Sequence, residues 1–315
     1  PAALREFSIA AATLPNEPNI LIYIAGVYRR QGRWHDSIAA FRRAQQLDPR
    51  NVQLIDLAAA NYLFVRDWPA ATECYNRAQE IAPDSVYARI GLAYLEVFRD
   101  SNPTAAGKIL QSGPAEIDPD GNATEARWGF AMLQRDYPAA EKILTDFPLE
   151  TFPRAEDAPK KSLYQGRVAM ARGDSESAQR YFAAATPDME AWVRARPDQA
   201  SRHASLGGLY AYQGRKEDAL RESLRAVELE PESQNAFHGA IMAANLAVTY
   251  ALVGEADQAL ELIERLLATP GPVGCVNTTA NITLADLRLR PEWDALRKDP
   301  RFQKILAAPE PKTIY

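Results

Sequence analysis

Cysteine and histidine are almost missing from this chain, with two Cys and three His among 315 residues. Cys74 and Cys275 lie far apart, and neither has a second Cys or a His at metal-ligand spacing, so no disulfide framework or zinc site is expected. His35, His203 and His238 stand outside any His-Glu-x-x-His, Cys-His or Ser-His-Asp context. We therefore expect no catalytic residue, metal or cofactor in this stretch, and no enzyme. Long apolar runs are lacking too. The closest approach, Ala236 to Val253, is interrupted by His238, Asn245 and Thr249, which suits a buried helix better than membrane insertion. Pro1 to Leu14 has no basic segment followed by an apolar run, hence no visible signal peptide. Basic excess is absent: 41 Asp and Glu outnumber 36 Lys and Arg, which argues against a nucleic-acid partner and makes Arg29, Arg30 and Arg33 a solvated helix face. The run Asp118 to Glu125 has its Gly too early and its Glu too near for a calcium loop, and reads as a turn and helix cap. Asn122, Asn277 and Asn281 begin Asn-x-Ser/Thr triplets, which carry no weight without secretion.

What the chain does have is a period. Tyr28 and Tyr62, Trp34 and Trp68, Phe41 and Tyr75, Ala44 and Ala78, Pro49 and Pro83 are each 34 residues apart. Within a unit, apolar and small residues follow the helical spacing, as in Ile24, Ala25, Tyr28 and then Ile38, Phe41, Ala44. Gly32 marks a tight turn between the two runs, and Pro49 or Pro83 stops the second. Each unit is a helix-turn-helix hairpin. A small residue such as Ala25 or Ala59 lets its helices approach, and the aromatic one turn later fills the adjoining space. One hairpin cannot cover its own apolar face, so stability must come from stacking.

The spacing recurs at Tyr210, Gly214, Ala219, Ala226 and at Tyr250, Gly254, Ala259, where the units are 40 residues apart because extra sequence around Gln234 to Gly239 lengthens a linker or a first helix. The middle is looser. Arg135 to Ala140 repeats the phrase Arg-Asp-aromatic-Pro-Ala-Ala of Arg66 to Ala71, and a unit from Leu163 through Phe182 has a second helix continuing toward Arg196. We expect seven hairpins, arranged as a second helix of a truncated unit (1–16), an N-terminal array (17–147), a Pro-rich connection (148–159), a C-terminal array (160–270) and a capping segment (271–315). Ala3, Phe7, Ala10 and Pro15 fall one period before Ser37, Phe41, Ala44 and Pro49, which suggests an N-terminal cut from a longer polypeptide. Leu287, Leu289, Trp293, Leu296, Phe302, Ile305 and Leu306 would lie on two or three short helices covering the last repeat.

The units built on Tyr28, Gly32, Phe41, Ala44 and Pro49, and on Tyr62, Tyr75, Ala78 and Pro83, resemble tetratricopeptide repeats. That resemblance implies an all-α, right-handed superhelical solenoid of hairpins with a C-terminal helical cap. The stretch Leu287 to Phe302 is similar to the closing segment of repeat regions in bacterial signalling proteins, where they follow a serine/threonine kinase, an adenylate cyclase or a winged-helix domain with a TolB-type propeller; Arg290 stands where that pattern more often has Asp.

The resemblance implies a protein-interaction scaffold that binds through a concave face lined by the first helix of each hairpin. Its groove positions fall on Asn19, Ile22, Arg29 and Arg30, on Gln53, Asp56, Leu63 and Phe64, on Ser201, Ala204 and Tyr212, and on Ile241, Ala244, Val248 and Leu252. Ile22 and Asp56 do not fit a carboxylate clamp. The expected partner is a protein or peptide; the small, apolar C-terminal groove would suit an amphipathic helix, or would simply pack against neighbouring helices or the cap. Self-association into a homo-oligomer and a regulatory region for an absent catalytic domain are the alternatives. The cytoplasm is the default compartment, with the periplasm open to an anchored full-length form.

Overall fold

The structure is a computed structural model that describes residues 2–112, 121–148, 160–271, 273 and 282–313. Among these, every regular element is helical. The hairpins are α2 (Pro18–Arg30) with α3 (Trp34–Leu47), α4 (Val52–Phe64) with α5 (Trp68–Ile81), α6 (Val86–Phe98) with α7 (Pro103–Gln111), α8 (Asn122–Leu133) with α9 (Tyr137–Asp146), α10 (Lys161–Ala171) with α11 (Ser175–Ala195), α12 (Ala200–Tyr212) with α13 (Lys216–Leu229), and α14 (Ala236–Leu252) with α15 (Ala256–Leu267). α1 (Ala2–Thr13) precedes them. α16 (Leu284–Leu289), a 3-10 turn (Pro291–Leu296) and α17 (Pro300–Ala307) follow. The Pro-rich connection, Cys275 and the triplets at Asn277 and Asn281 lie outside the described residues.

The turns explain why the hairpins form. A residue in the left-handed region follows each of the seven first helices: Gly32, Gly173, Gly214 and Gly254, but also Arg66, Ser101 and Arg135. After it an Asp or Asn often caps the second helix. Asp67 accepts from the Ala70 amide at 3.2 Å and Asp136 from that of Ala139 at 3.1 Å. In the repeated Arg-Asp-aromatic-Pro-Ala-Ala phrase, Arg thus takes the left-handed position, Asp the cap and Pro the first turn, where its missing N–H costs nothing. Gly121, with φ of 68°, similarly opens α8 as its cap.

Packing follows the small-and-large rule of the repeat. Ala25, Ala44, Ala59 and Ala78 are fully buried beside Phe41 and Tyr75. Gly91 of α6 sits so close under the Tyr75 ring that a Cβ there would come within 2.3 Å of it. Ser37, buried between two hairpins, is satisfied there: its Oγ donates to the Ala25 carbonyl at 2.9 Å.

The array bends until its last hairpin touches its first. The extra sequence before the seventh hairpin extends the first helix: α14 has 17 residues, against 13 in α2, α4 and α12. Its additional N-terminal turn carries Phe237 onto α4, where the ring meets Phe64 at 4.7 Å between centroids. The Arg29 guanidinium of α2 lies 4.4 Å from the Phe237 ring centroid. Beyond α15, the Gly271 amide donates to the Phe64 carbonyl at 3.0 Å.

The C-terminal segment then crosses the inside of this bend. Leu287, Trp293, Leu296, Phe302 and Ile305 form one continuous buried cluster with α14 and α15, so the cap covers the last hairpin. Leu289 departs from that expectation. It joins Val273 in a different cluster, against Ile90, Val97 and Phe98 of α6 and Phe130 of α8. The cap therefore reaches the middle of the array, which a local pattern of apolar residues has no means of indicating.

Candidate functional site

The concave face is built from first helices, and its expected residues fall into three surroundings. Asn19, Arg30, Gln53 and Ser201 are exposed. Ile22, Arg29, Asp56 and Phe64 are half-buried, and Leu63 is buried. Arg29 is stacked between Phe64 and Phe237, and burial, with Arg30 beside it, lowers its pKa to about 10, so it remains a cation. Burial pushes the Asp56 carboxyl up to about 6.

At the other end Ala204 and Ile241 share a small cluster with Met242. Ala244 and Val248 are buried in the cluster that contains Trp293 and Phe302, and Leu252 packs at its edge. Tyr212 is also buried, and its hydroxyl donates to Glu292 of the 3-10 turn at 2.8 Å. The structure thus brings Arg29 together with Phe64, and Ala244 with Val248 and Leu252, and in the second group it places the chain's own cap on the groove.

The side chains that hold the cap are mostly ones that periodicity could not single out. Arg167 of α10 donates to Glu292 from Nη2 at 2.7 Å and from Nε at 3.1 Å, and its guanidinium stands 4.8 Å from the Trp128 ring centroid of α8. Both members of this ion pair are about 5% exposed. Burial disfavours the Glu292 charge, but Arg167, Arg290 and the Tyr212 hydroxyl outweigh it and bring the pKa down to about 2. Burial raises the Tyr212 phenol well above its ordinary value.

Arg66 reaches across from the second hairpin. Its guanidinium donates to the carbonyls of Thr269, Leu266 and Ile282 at 3.0, 3.2 and 2.9 Å and to Thr313 Oγ1 at 3.0 Å. Glu310 lies 3.8 Å away, and burial lowers the Arg66 pKa to about 10 despite that carboxylate. Arg135, at the equivalent turn of the fourth hairpin, grips Asp294 through two bonds of 2.8 and 2.6 Å. Inside the cap, Asp286 is buried and accepts from Arg290 Nε at 2.8 Å and from the Trp293 indole at 3.0 Å. Arg290, the departure from the usual pattern, is an internal brace that also adds positive charge beside Glu292.

Two signals in the sequence did mark this architecture. One is the repeated Arg-Asp-aromatic-Pro-Ala-Ala phrase, which puts Arg where four other turns have Gly. The other is the six-residue excess before the seventh hairpin, which supplies Phe237.

The described residues offer little else for chemistry. His203 is buried between Glu222 and the Pro197 carbonyl, at 2.7 and 3.0 Å, while His35 is exposed. Among the described residues no group of three or more His, Cys, Asp or Glu is placed to hold a metal, and no helix is long and apolar enough to cross a membrane.

Comparison with known proteins bears on the hairpins themselves. The family described as Tetratricopeptide repeat matches residues 18–51, the α2–α3 hairpin and its linker. The chain carries tetratricopeptide repeats. The tetratricopeptide array is similar in fold to a chain in the crystal structure of the APC/C hetero-tetramer Cut9-Hcn1, at 15% identity and a TM-score of 0.51, over 81% of this chain and 46% of that one. PilW, a widely conserved type IV pilus biogenesis factor, aligns at 20% identity over 66% of this chain and 91% of its own, with a TM-score of 0.48. No curated protein matches the chain. The tetratricopeptide repeats support a protein–protein interaction scaffold.

Proposed function

We propose that this chain is the non-catalytic interaction or sensing region of a larger bacterial signalling protein, recruiting a protein or peptide partner for a head domain. The observation that carries the scaffold part of this reading is the stack of seven hairpins, whose first helices enclose a concave face reaching from Arg29 to Leu252. The signalling part rests on the closing segment Leu287 to Phe302, whose Trp293 and Phe302 are both fully buried. That burial gives the similarity of this segment a structural reason, because its apolar residues have a defined place to go.

The test is in-cell crosslinking of the full-length protein, with a photoreactive residue placed at exposed Asn19, Gln53 or Ser201. Specific crosslinks to a protein other than itself support the scaffold reading. Crosslinks confined to a second copy favour self-association, for which the exposed side chains of Ile9 on α1, Leu14 just after it and Tyr23 on α2 offer apolar surface.

A further inference from the structure

The cap does two separable things. Its apolar side covers α14 and α15, as the end of any solenoid must be covered. Its other side is polar and directional, with Glu292 beside Arg290 and Asp294 bonded to Arg297 of the cap itself at 2.5 Å. Glu292 and Asp294 flank Trp293, and the array meets those carboxylates with Arg167, Tyr212 and Arg135, which come from the fourth, fifth and sixth hairpins. Closing the last hairpin does not need contacts with hairpins so far away. A buried arginine is also an expensive way to add stability, because its desolvation offsets most of what the ion pair returns. Such a cradle makes sense as recognition: it selects two carboxylates on either side of an aromatic ring that packs against α14.

We propose that the concave face is a binding site for acidic–aromatic peptide segments, and that Ile282–Thr313 is its built-in competitor. This rests on the reading of the chain as a protein-binding scaffold, and goes further by naming the chemistry of the partner. A partner presenting carboxylates on either side of an aromatic ring replaces the contacts of Glu292 and Asp294 with Arg167, Tyr212 and Arg135 one for one. The array is then occupied in both states. Affinity is set by the difference between the partner and the resident segment, so the internal copy acts as a threshold against weak ligands.

The experiment uses the whole chain and a fluorescent peptide of sequence Ile282–Thr313, read by anisotropy, and needs no natural partner. The wild-type chain should bind the peptide poorly. The chain carrying E292Q and D294N, with a weakened resident segment, should bind it at least about tenfold tighter, and adding R167M should remove that gain. A peptide carrying the same two amide substitutions should compete weakly. If the folded double variant gains no affinity, or takes the amide peptide equally well, the proposal is overturned. Should that variant not fold, amide exchange on the wild-type chain decides. Amides of α16 and α17 exchanging about 100-fold faster than those of α12 support a displaceable segment, and exchange only with global unfolding overturns it. Crosslinking that finds no outside protein would remove the scaffold reading and leave these outcomes readable.

Discussion

The turns that close the first and second hairpins share one backbone and differ in what they do with it. φ is 72° at Gly32 and 56° at Arg66, and in both the next amide bonds back to a first-helix Tyr carbonyl at 2.9 Å. Gly32 completes a helix end. Arg66 completes the same end at a strain cost of about 1 kcal/mol, and sends a buried guanidinium to four acceptors near the C-terminus. The fourth hairpin repeats the device with Arg135. Positions that obey the repeat make hairpins, and positions that break it join hairpins distant in sequence.

This contrast can be broken most severely where repeat and cap share a core. Val248→Glu places a carboxylate in the apolar cluster around Trp293, and a loss of about 4 kcal/mol or failure to fold is expected in a denaturant titration. A melt close to wild type would mean that Val248 faces solvent and the cap is not seated there. Arg167→Met comes next. It strands Glu292 in a buried site, with an expected cost of about 3 kcal/mol, and adding E292Q should recover most of it because no charge then lacks a partner.

Arg66→Gly relieves the backbone strain but removes charge-assisted hydrogen bonds, for a net loss of about 1–2 kcal/mol. Arg135→Gly loses an exposed ion pair and a long bond to the Tyr137 hydroxyl, and should lie within about 0.5 kcal/mol of wild type. An equal effect of the two substitutions in parallel melts would erase the distinction between a buried and an exposed tie. The smallest effect is a pH dependence. Because burial holds Asp56 at about 6, above its unfolded value, the folded chain binds the proton more tightly and loses stability as pH rises from about 4 to about 6. Asp56→Asn should therefore be more stable than wild type at pH 7 and no more stable below pH 4, as followed by denaturation across that range.

Legibility followed the range of the interaction. The 34-residue spacing exposed the hairpins because residues such as Ala25 and Phe41 interact within a unit and, with Ala58, with the next one, and identical neighbours demand identical residues. The long second helix α11, ending at Ala195, was legible for the same reason. Arg167 and Glu292 are 125 residues apart and make a single pair, which leaves no pattern to count. The groove positions were assigned to first helices by the repeat pattern alone. What occupies them could not be read from it, because a helix facing solvent and a helix facing the chain's own cap both present a run of small and apolar residues, as Ala244, Val248 and Ala251 do.

The extra turn of α14 has a consequence for assembly order. Phe237 can meet Phe64 and Arg29 only after every hairpin between α4 and α14 has stacked, since their cumulative bend carries one end to the other. The seam reports completion of the whole array, and a defect in any one interface would be felt there as misalignment of two aromatic rings. Among the described residues, the hairpins from α4 to α14 are in this way held to one register.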